Sequence, residues 1–296
     1  MSTTFHQKPN LYISHVQLKV SNLERSLAFY TQVIGFQVLK QVDKVVYLTV
    51  DGQQSLVSLK EVEKAIDPNR HAGLYHIALL LPTRKDLGNV LHHFANNNVR
   101  IGAGDHHVSE ALYLNDPDGN GIEIYADRPT DYWKWSVDNQ VYMTTEHVDI
   151  PSVMAEGDGQ WNGLPKGTVM GHIHLAVSHL KKAEQFYTNV LDYEVVTRYG
   201  NQALFISTGK YHHHIGMNTW HTAGSEPTKE DEVGLAYYTI VLKDAQYANE
   251  VKQKLIANHY SVVDVQQNNE ANDFGGAPMF YTVDTSGIKV MFSIND

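Results

Sequence analysis

The chain of 296 residues contains no cysteine. This absence excludes disulfides, thiolate metal ligands and a cysteine nucleophile together. No apolar run approaches the length that crosses a membrane, and the first residues lack the basic and apolar regions of a signal peptide. We therefore expect a cytoplasmic protein.

Positive charge is also scarce. The chain has 23 Lys and Arg against 33 Asp and Glu, which gives a formal net charge of −10. Such an acidic chain is a poor partner for nucleic acid or an anionic membrane.

Histidine, in contrast, is abundant, with 17 residues. Because histidine is the commonest metal ligand and an acid or base near neutral pH, the histidine positions are the best guide to function.

Residues 105–129 contain the clearest local signal. Asp116-Pro117-Asp118-Gly119 has the residue pattern of a type I turn. Alternating runs on both sides predict a β-hairpin whose apolar face carries Leu112, Leu114, Ile122 and Ile124. Tyr113 and Glu123 then point the other way. A glutamate inside an apolar strand is either solvated or a buried charge that needs a partner.

One unit, a strand followed by a helix and three more strands, occurs four times along the chain. The four modules span about 10–62, 73–128, 170–221 and 233–294. The chain is therefore divided into two halves, 1–129 and 170–296. Residues 130–169, which include three of the four tryptophans, form a long connecting segment between the halves.

The modules align with one another residue by residue. Modules one and three align at an offset of 157 residues. Modules two and four align at 161 on their first strand and at 168 on their last strand, where Gly119 lies over Gly287. The alignment makes four pairs of positions equivalent: His15 and His172, Leu56 and His213, His76 and Tyr237, Glu123 and Met291. Module two alone offers a carboxylate at these positions, and a pair of modules three and four would offer none.

This repeat resembles the vicinal oxygen chelate superfamily. The segments GLYHIALLLP, DHHVSEALYLNDPDGNGIEIYADRP, GHIHLAVS and KYHHHIGMNTW are similar to signature segments of its catechol 2,3-dioxygenase-like branch, which contains extradiol ring-cleavage enzymes. The resemblance covers nearly the whole chain. It implies an α+β fold in which four βαβββ modules form two open barrels, with a metal held by residues of first and last strands.

Two histidines and a carboxylate that leave positions open suit non-haem Fe(II). If module one faces module two, the ligands are His15, His76 and Glu123. If module two faces module three, they are His76, Glu123 and His172. We favour the second set because it gives the HHH run a function and because His15 shares its strand face with polar residues, so that this face should be solvated. Related hydroquinone dioxygenases pair their modules in this way, although pairing one with two is more common in the superfamily.

Three further residues are candidates for catalysis. His213 is our choice for an acid/base close to the metal but not bound to it. By resemblance, Tyr113 matches a tyrosine that hydrogen-bonds a substrate oxygen, and His106 matches a second histidine of the pocket. His212 and His214 should point away from His213 if the HHH run belongs to a regular strand, and a bulge would reverse this.

The resemblance implies an extradiol dioxygenase that uses Fe(II), or alternatively Mn(II), and O₂ to cleave a catechol-type aromatic diol. Two other functions stay open. One is a glyoxalase-like isomerase or thiol transferase, with His213 as a fourth ligand to Zn(II) or Ni(II). The other is a non-catalytic protein of the same fold that binds a small aromatic. The sequence also leaves homo-oligomerisation open.

Overall fold

The computed structural model describes residues 2–63, 65–66, 70–265 and 277–295. The elements of the first half are β1 (Tyr12–Val20), α1 (Leu23–Ala28) continued by a π-helix (Phe29–Ile34), β2 (Gln37–Val42), β3 (Val45–Thr49), β4 (Ser55–Glu61), β5 (Gly73–Leu80), α2 (Arg84–Asn96), β6 (Gly102–Asp105), β7 (Ser109–Asn115) and β8 (Gly121–Asp127). The connecting segment contains a short 3₁₀ turn (Thr130–Tyr132) and α3 (Ile150–Glu156).

The second half repeats this order. Its elements are β9 (Val169–Ala176), α4 (Leu180–Leu191), β10 (Glu194–Tyr199), β11 (Ala203–Ser207), β12 (Ile215–Asn218), β13 (Gly234–Leu242), α5 (Ala245–Ala257), β14 (Val263–Asp264), β15 (Ala277–Val283) and β16 (Lys289–Ile294). None of the described helices has both the length and the apolar character needed to cross a membrane. The division into two halves around a connecting segment stays a prediction.

The strands form two eight-stranded sheets, and each sheet combines two modules. One sheet has the order β14-β15-β16-β13-β1-β4-β3-β2 and joins modules four and one; the other has the order β10-β11-β12-β9-β5-β8-β7-β6 and joins modules three and two. The predicted α+β fold with two barrels is confirmed, and so is the pairing of module two with module three.

The two sheets repeat the same register at their centres. In the second sheet, Ala78 of β5 has His172 of β9 on one side and Glu123 of β8 on the other. In the first sheet, Thr239 of β13 lies between His15 of β1 and Met291 of β16. The equivalence of positions that the sequence alignment predicted is therefore present in the strand pairing.

Buried tyrosines connect the modules in a second way. The Tyr30 hydroxyl, in the helix of module one, donates to Asp116 Oδ2 in the hairpin turn of module two, 3.1 Å away. The Tyr187 hydroxyl of module three donates at 3.0 Å to Asp284 Oδ2 in the equivalent turn of module four. These contacts join modules one to two and three to four, while the sheets join one to four and two to three. Each module therefore contacts two others, one by strand pairing within a sheet and one through a hydrogen bond between a tyrosine and an aspartate.

Two expectations about strand faces are wrong. The HHH run does not belong to a strand, because β12 begins at Ile215 and residues 212–214 lie in the loop before it. The face of β1 that carries His15 is not solvated: His15 is fully buried, and Gln17 and Lys19 are buried beside it. Alternation within one strand cannot predict whether a face is covered by other parts of the chain.

Tyr30→Phe tests the contact between modules. We expect the free energy of unfolding to fall by about 1–3 kcal/mol, because the buried Asp116 carboxylate loses a hydrogen-bond donor. Urea denaturation measures the change. Tyr132→Phe is the control, since Tyr132 is 65% exposed and its hydroxyl loss should change stability by less than about 0.5 kcal/mol. Equal stability of Tyr30→Phe and the unaltered protein would contradict a stabilising contact.

Candidate active site

Three adjacent strands place His76, Glu123 and His172 together. The side chains lie on one face of the second sheet, with Glu123 and His172 on either side of the small residue Ala78 and His76 two residues before it. Gly121 is paired with His76, and a Cβ at Gly121 would lie 2.2 Å from the Tyr75 carbonyl oxygen. Only glycine therefore allows β8 to approach β5 closely at this point.

The three side chains form a compact buried group. Glu123 Oε2 lies 3.0 Å from His76 Nε2 and 3.3 Å from His172 Nε2. All three ligand-type atoms lie within 4.8 Å of one another. This is the arrangement that the sequence predicted for a metal centre, and the identity of the ligands stays a prediction.

The donor set fits a divalent cation. Two ligands that are each about 2.1 Å from one ion and at right angles to each other are about 3.0 Å apart, close to the observed contacts of Glu123. His76 Nε2 is buried and, among the residues that the structure describes, has no hydrogen bond of acceptable geometry. A buried imidazole nitrogen without a hydrogen bond beside a buried carboxylate is an environment that a metal ion would satisfy.

The charges of this group depend on one another. Burial raises the pKa of Glu123, but the nearby His172 and His76 outweigh burial and hold that pKa well below its usual range. Burial lowers the pKa of His172 to about 4, although the Glu123 carboxylate opposes part of this shift. A charged carboxylate and a neutral imidazole are the forms that bind metals.

A cavity of about 530 Å³ opens beside the three residues. The other predicted catalytic residues, His213, Tyr113 and His106, also line it. The His213 ring centroid lies 4.1 Å from that of His172. Burial is the main reason that the pKa of His213 lies well below its usual value, so the ring is neutral near pH 7. The structure thus brings all six predicted site residues to one cavity, and their individual functions stay predictions.

Tyr113 and His106 are linked by a hydrogen bond. His106 Nδ1 lies 2.6 Å from the Thr144 carbonyl oxygen, which can only accept, so Nδ1 carries the hydrogen. His106 Nε2 therefore accepts from the Tyr113 hydroxyl at 2.5 Å. Burial, followed by the charge of Glu123, raises the pKa of Tyr113 well above its usual value. Tyr113 is therefore a neutral hydrogen-bonding group.

Alternation along β9 predicts that His174 shares the face of His172, and His174 does line the cavity. Its Nε2 accepts from Asn218 Nδ2 at 3.0 Å. The lining residues that were not found from the sequence are mainly large and apolar or aromatic: Tyr75, Met143, Tyr199, Phe205 and Trp220. Met143 comes from the connecting segment, for which no local pattern gives a position.

The comparisons with known proteins agree with this geometry. A family model described as "Glyoxalase/Bleomycin resistance protein/Dioxygenase superfamily" matches residues 12–124. Catechol-2,3-dioxygenase of Bacillus subtilis (strain 168) is 45% identical over 275 residues, which cover 92% of this chain and 96% of that protein. The chain belongs to the glyoxalase/bleomycin resistance protein/dioxygenase superfamily. Its membership of the catechol 2,3-dioxygenase-like branch is confirmed, and the chain is an enzyme of the extradiol dioxygenase type.

More distant relatives share part of the chain or only its fold. Metallothiol transferase FosB of Lysinibacillus sphaericus is 32% identical over 130 residues, which cover 41% of this chain and 89% of that protein. Glyoxalase I from Zea mays has a TM-score of 0.61 at 15% identity, with 96% of this chain and 92% of that chain covered. The latter similarity shows the fold alone.

Two histidine variants test which sheet holds the metal. His172→Ala should lose the metal, because only two donors would remain. His15→Ala should keep it, although removal of a fully buried ring should lower the free energy of unfolding by about 1–3 kcal/mol. Metal content after anaerobic reconstitution with Fe(II) is measured on both variants in parallel. Metal lost from His15→Ala and kept in His172→Ala would assign the centre to the other sheet.

Proposed function

We propose that this chain is an Fe(II)-dependent dioxygenase that opens the ring of a catechol-type diol beside its hydroxyls. The observation that supports this most directly is the buried group of His76, Glu123 and His172 at the base of a cavity that also contains His213. Two histidines and one carboxylate leave coordination positions open for a substrate and O₂. Mn(II) would fit the same donors. A cytoplasmic location remains an expectation.

The bound metal would supply Lewis acidity that lowers the pKa of a substrate hydroxyl, together with a position for O₂. The side chains of the cavity would transfer protons, orient the substrate and exclude water. Neutral His213 is placed to accept a proton from the substrate hydroxyl and to return it later. Neutral Tyr113 can exchange its hydrogen bond with His106 for one with a substrate oxygen. The aromatic rings at the cavity exclude water and pack against the substrate ring.

The cavity also favours a class of ring substituent. Its volume of about 530 Å³ is lined largely by apolar and aromatic side chains. Within the part of the chain that the structure describes, the lining residues include no lysine or arginine, whereas Glu123 supplies negative charge. A carboxylate on a ring substituent, away from the metal, would therefore meet no lysine or arginine and would be left unpaired. We infer a preference for catechols with neutral, apolar substituents.

The reaction is tested with an oxygen electrode and an absorbance scan. Iron-loaded protein should consume O₂ with catechol and with alkyl- or aryl-substituted catechols, and should form a yellow ring-opened semialdehyde. Carboxylated catechols should have a lower kcat/KM, by about tenfold or more, because an unpaired charge would enter the cavity. Absence of O₂ consumption across the neutral series, with iron confirmed bound, would contradict the proposal.

His213→Phe and Tyr113→Phe separate catalysis from metal binding. Both variants should keep their iron, while turnover falls by about 10²–10⁴-fold for His213→Phe, the range expected for loss of a general acid/base. Iron content and turnover are measured on the same samples. Loss of metal in His213→Phe would make His213 a fourth ligand and would favour the isomerase or thiol transferase alternative, the class to which FosB belongs.

A further inference from the structure

The histidine run beside the cavity contains a hydrogen-bonded chain of three side chains. His212 is completely buried, and its Nε2 lies 2.9 Å from Asp127 Oδ1. Its other nitrogen, Nδ1, lies 2.9 Å from Nδ1 of His213. Of the two histidines, only His213 lines the cavity. His212 therefore connects a carboxylate on β8 to the residue that faces the substrate.

The chemistry of these groups decides where the hydrogens lie. An ionised carboxylate can only accept, so the hydrogen between Asp127 and His212 is on His212 Nε2. In a neutral imidazole the other nitrogen is then an acceptor. Because His212 Nδ1 accepts, the hydrogen between the two histidines is on Nδ1 of His213. Neutral His213 is left with an unprotonated Nε2, which is the nitrogen available to the cavity.

The surroundings hold His212 in this orientation. The Tyr211 ring lies against the His212 ring at a centroid distance of 4.0 Å, and the Trp133 ring meets it edge-on at 5.1 Å. The Tyr211 hydroxyl also donates to Asp127 Oδ1 at 3.4 Å. A buried imidazole and a buried carboxylate each cost free energy of desolvation, and apolar side chains would pack here without that cost. The presence of this polar pair, where apolar side chains would pack without that cost, is explained if the pair orients His213.

We propose that Asp127 and His212 are positioning residues that keep His213 in the tautomer with its hydrogen on Nδ1, so that Nε2 meets the substrate as a base. The catalytic consequence rests on the proposed function, whereas the tautomer itself does not. When Nε2 accepts a proton from a substrate hydroxyl, His213 becomes an imidazolium with both nitrogens protonated. Its Nδ1 hydrogen continues to bond to His212, and the Asp127 carboxylate stabilises the new charge through His212 without receiving a proton.

The test uses nitrogen NMR of the full chain labelled with ¹⁵N-histidine, kept free of metal so that no ion can bind His213 Nε2, and held at about pH 8, where histidine is ordinarily neutral. The unaltered protein should show His213 with its hydrogen on Nδ1. In Asp127→Ala, His212 is no longer fixed, and His213 should become a mixture of tautomers. With iron, the same variant should keep its metal and its KM, while kcat falls by about 10–100-fold, as for other residues that orient a functional histidine.

A second pair of variants makes the test independent of whether Asp127→Ala folds. His212→Asn places an amide oxygen near the position of Nδ1, so it should retain an acceptor for His213 and the tautomer with its hydrogen on Nδ1. His212→Leu should lose both, and its kcat should be lower than that of His212→Asn. Ser207→Ala is the control, because it removes the 3.0 Å contact between Ser207 Oγ and His214 Nδ1 in the same loop without touching this chain of hydrogen bonds.

The outcomes separate this inference from the proposed function. A His213 hydrogen on Nε2 in the unaltered protein, or the same tautomer and kcat in His212→Leu as in His212→Asn, would overturn the inference. An equal loss of kcat in Ser207→Ala would also overturn it, since general disturbance of the loop would then be sufficient. The expected tautomers without O₂ consumption on any catechol would leave the inference standing and remove the proposed function.

Discussion

A carboxylate that is nearly excluded from water has to be stabilised by its neighbours, and Glu123 places this requirement at the centre of the second sheet. The neighbouring strands β5 and β9 supply the partners of this carboxylate. They bring His76 and His172 to the same atom, Glu123 Oε2, at 3.0 and 3.3 Å. Gly121 allows the strands to approach, and Ala78 leaves space between the side chains. The packing that satisfies the negative charge thereby also produces a set of donors for a cation.

Much of this arrangement is predictable from the sequence because it depends on local patterns and on the repeat. The Asp-Pro-Asp-Gly turn and its alternating flanks predict that Tyr113 and Glu123 share a face, and the two residues are paired across β7 and β8. The turn also has the expected backbone hydrogen bond, from Gly119 N to the Asp116 carbonyl oxygen at 3.0 Å. The choice of His172 over His15 depended on weighing two complete ligand sets, and the strand order supports that choice.

Other features could not be predicted because they depend on parts of the chain that are distant in sequence. Alternation tells which side of a strand a residue occupies but not whether that side is covered, and so His15 was wrongly assigned to a solvated face. It also assumes a regular strand, which the loop at residues 212–214 is not. The bond from His212 to Asp127 spans 85 residues. Asp127 lies four positions after Glu123 on the same strand, but nothing local identifies its partner.

The two sheets have the same strand register at their centres, so the first sheet offers positions equivalent to those of the candidate metal centre. A dimer of two identical two-module chains, exchanging strands as these halves do, would contain two equivalent barrels and two equivalent centres. In this single chain the first sheet has the same strand register as the second: His15 and Met291 flank Thr239, as His172 and Glu123 flank Ala78. Because each of the four modules occurs once in this chain, one barrel can change in sequence without the other. Tyr237 and Met291 stand at the positions equivalent to His76 and Glu123, so two substitutions would give the first sheet the same three residue types as the predicted metal centre.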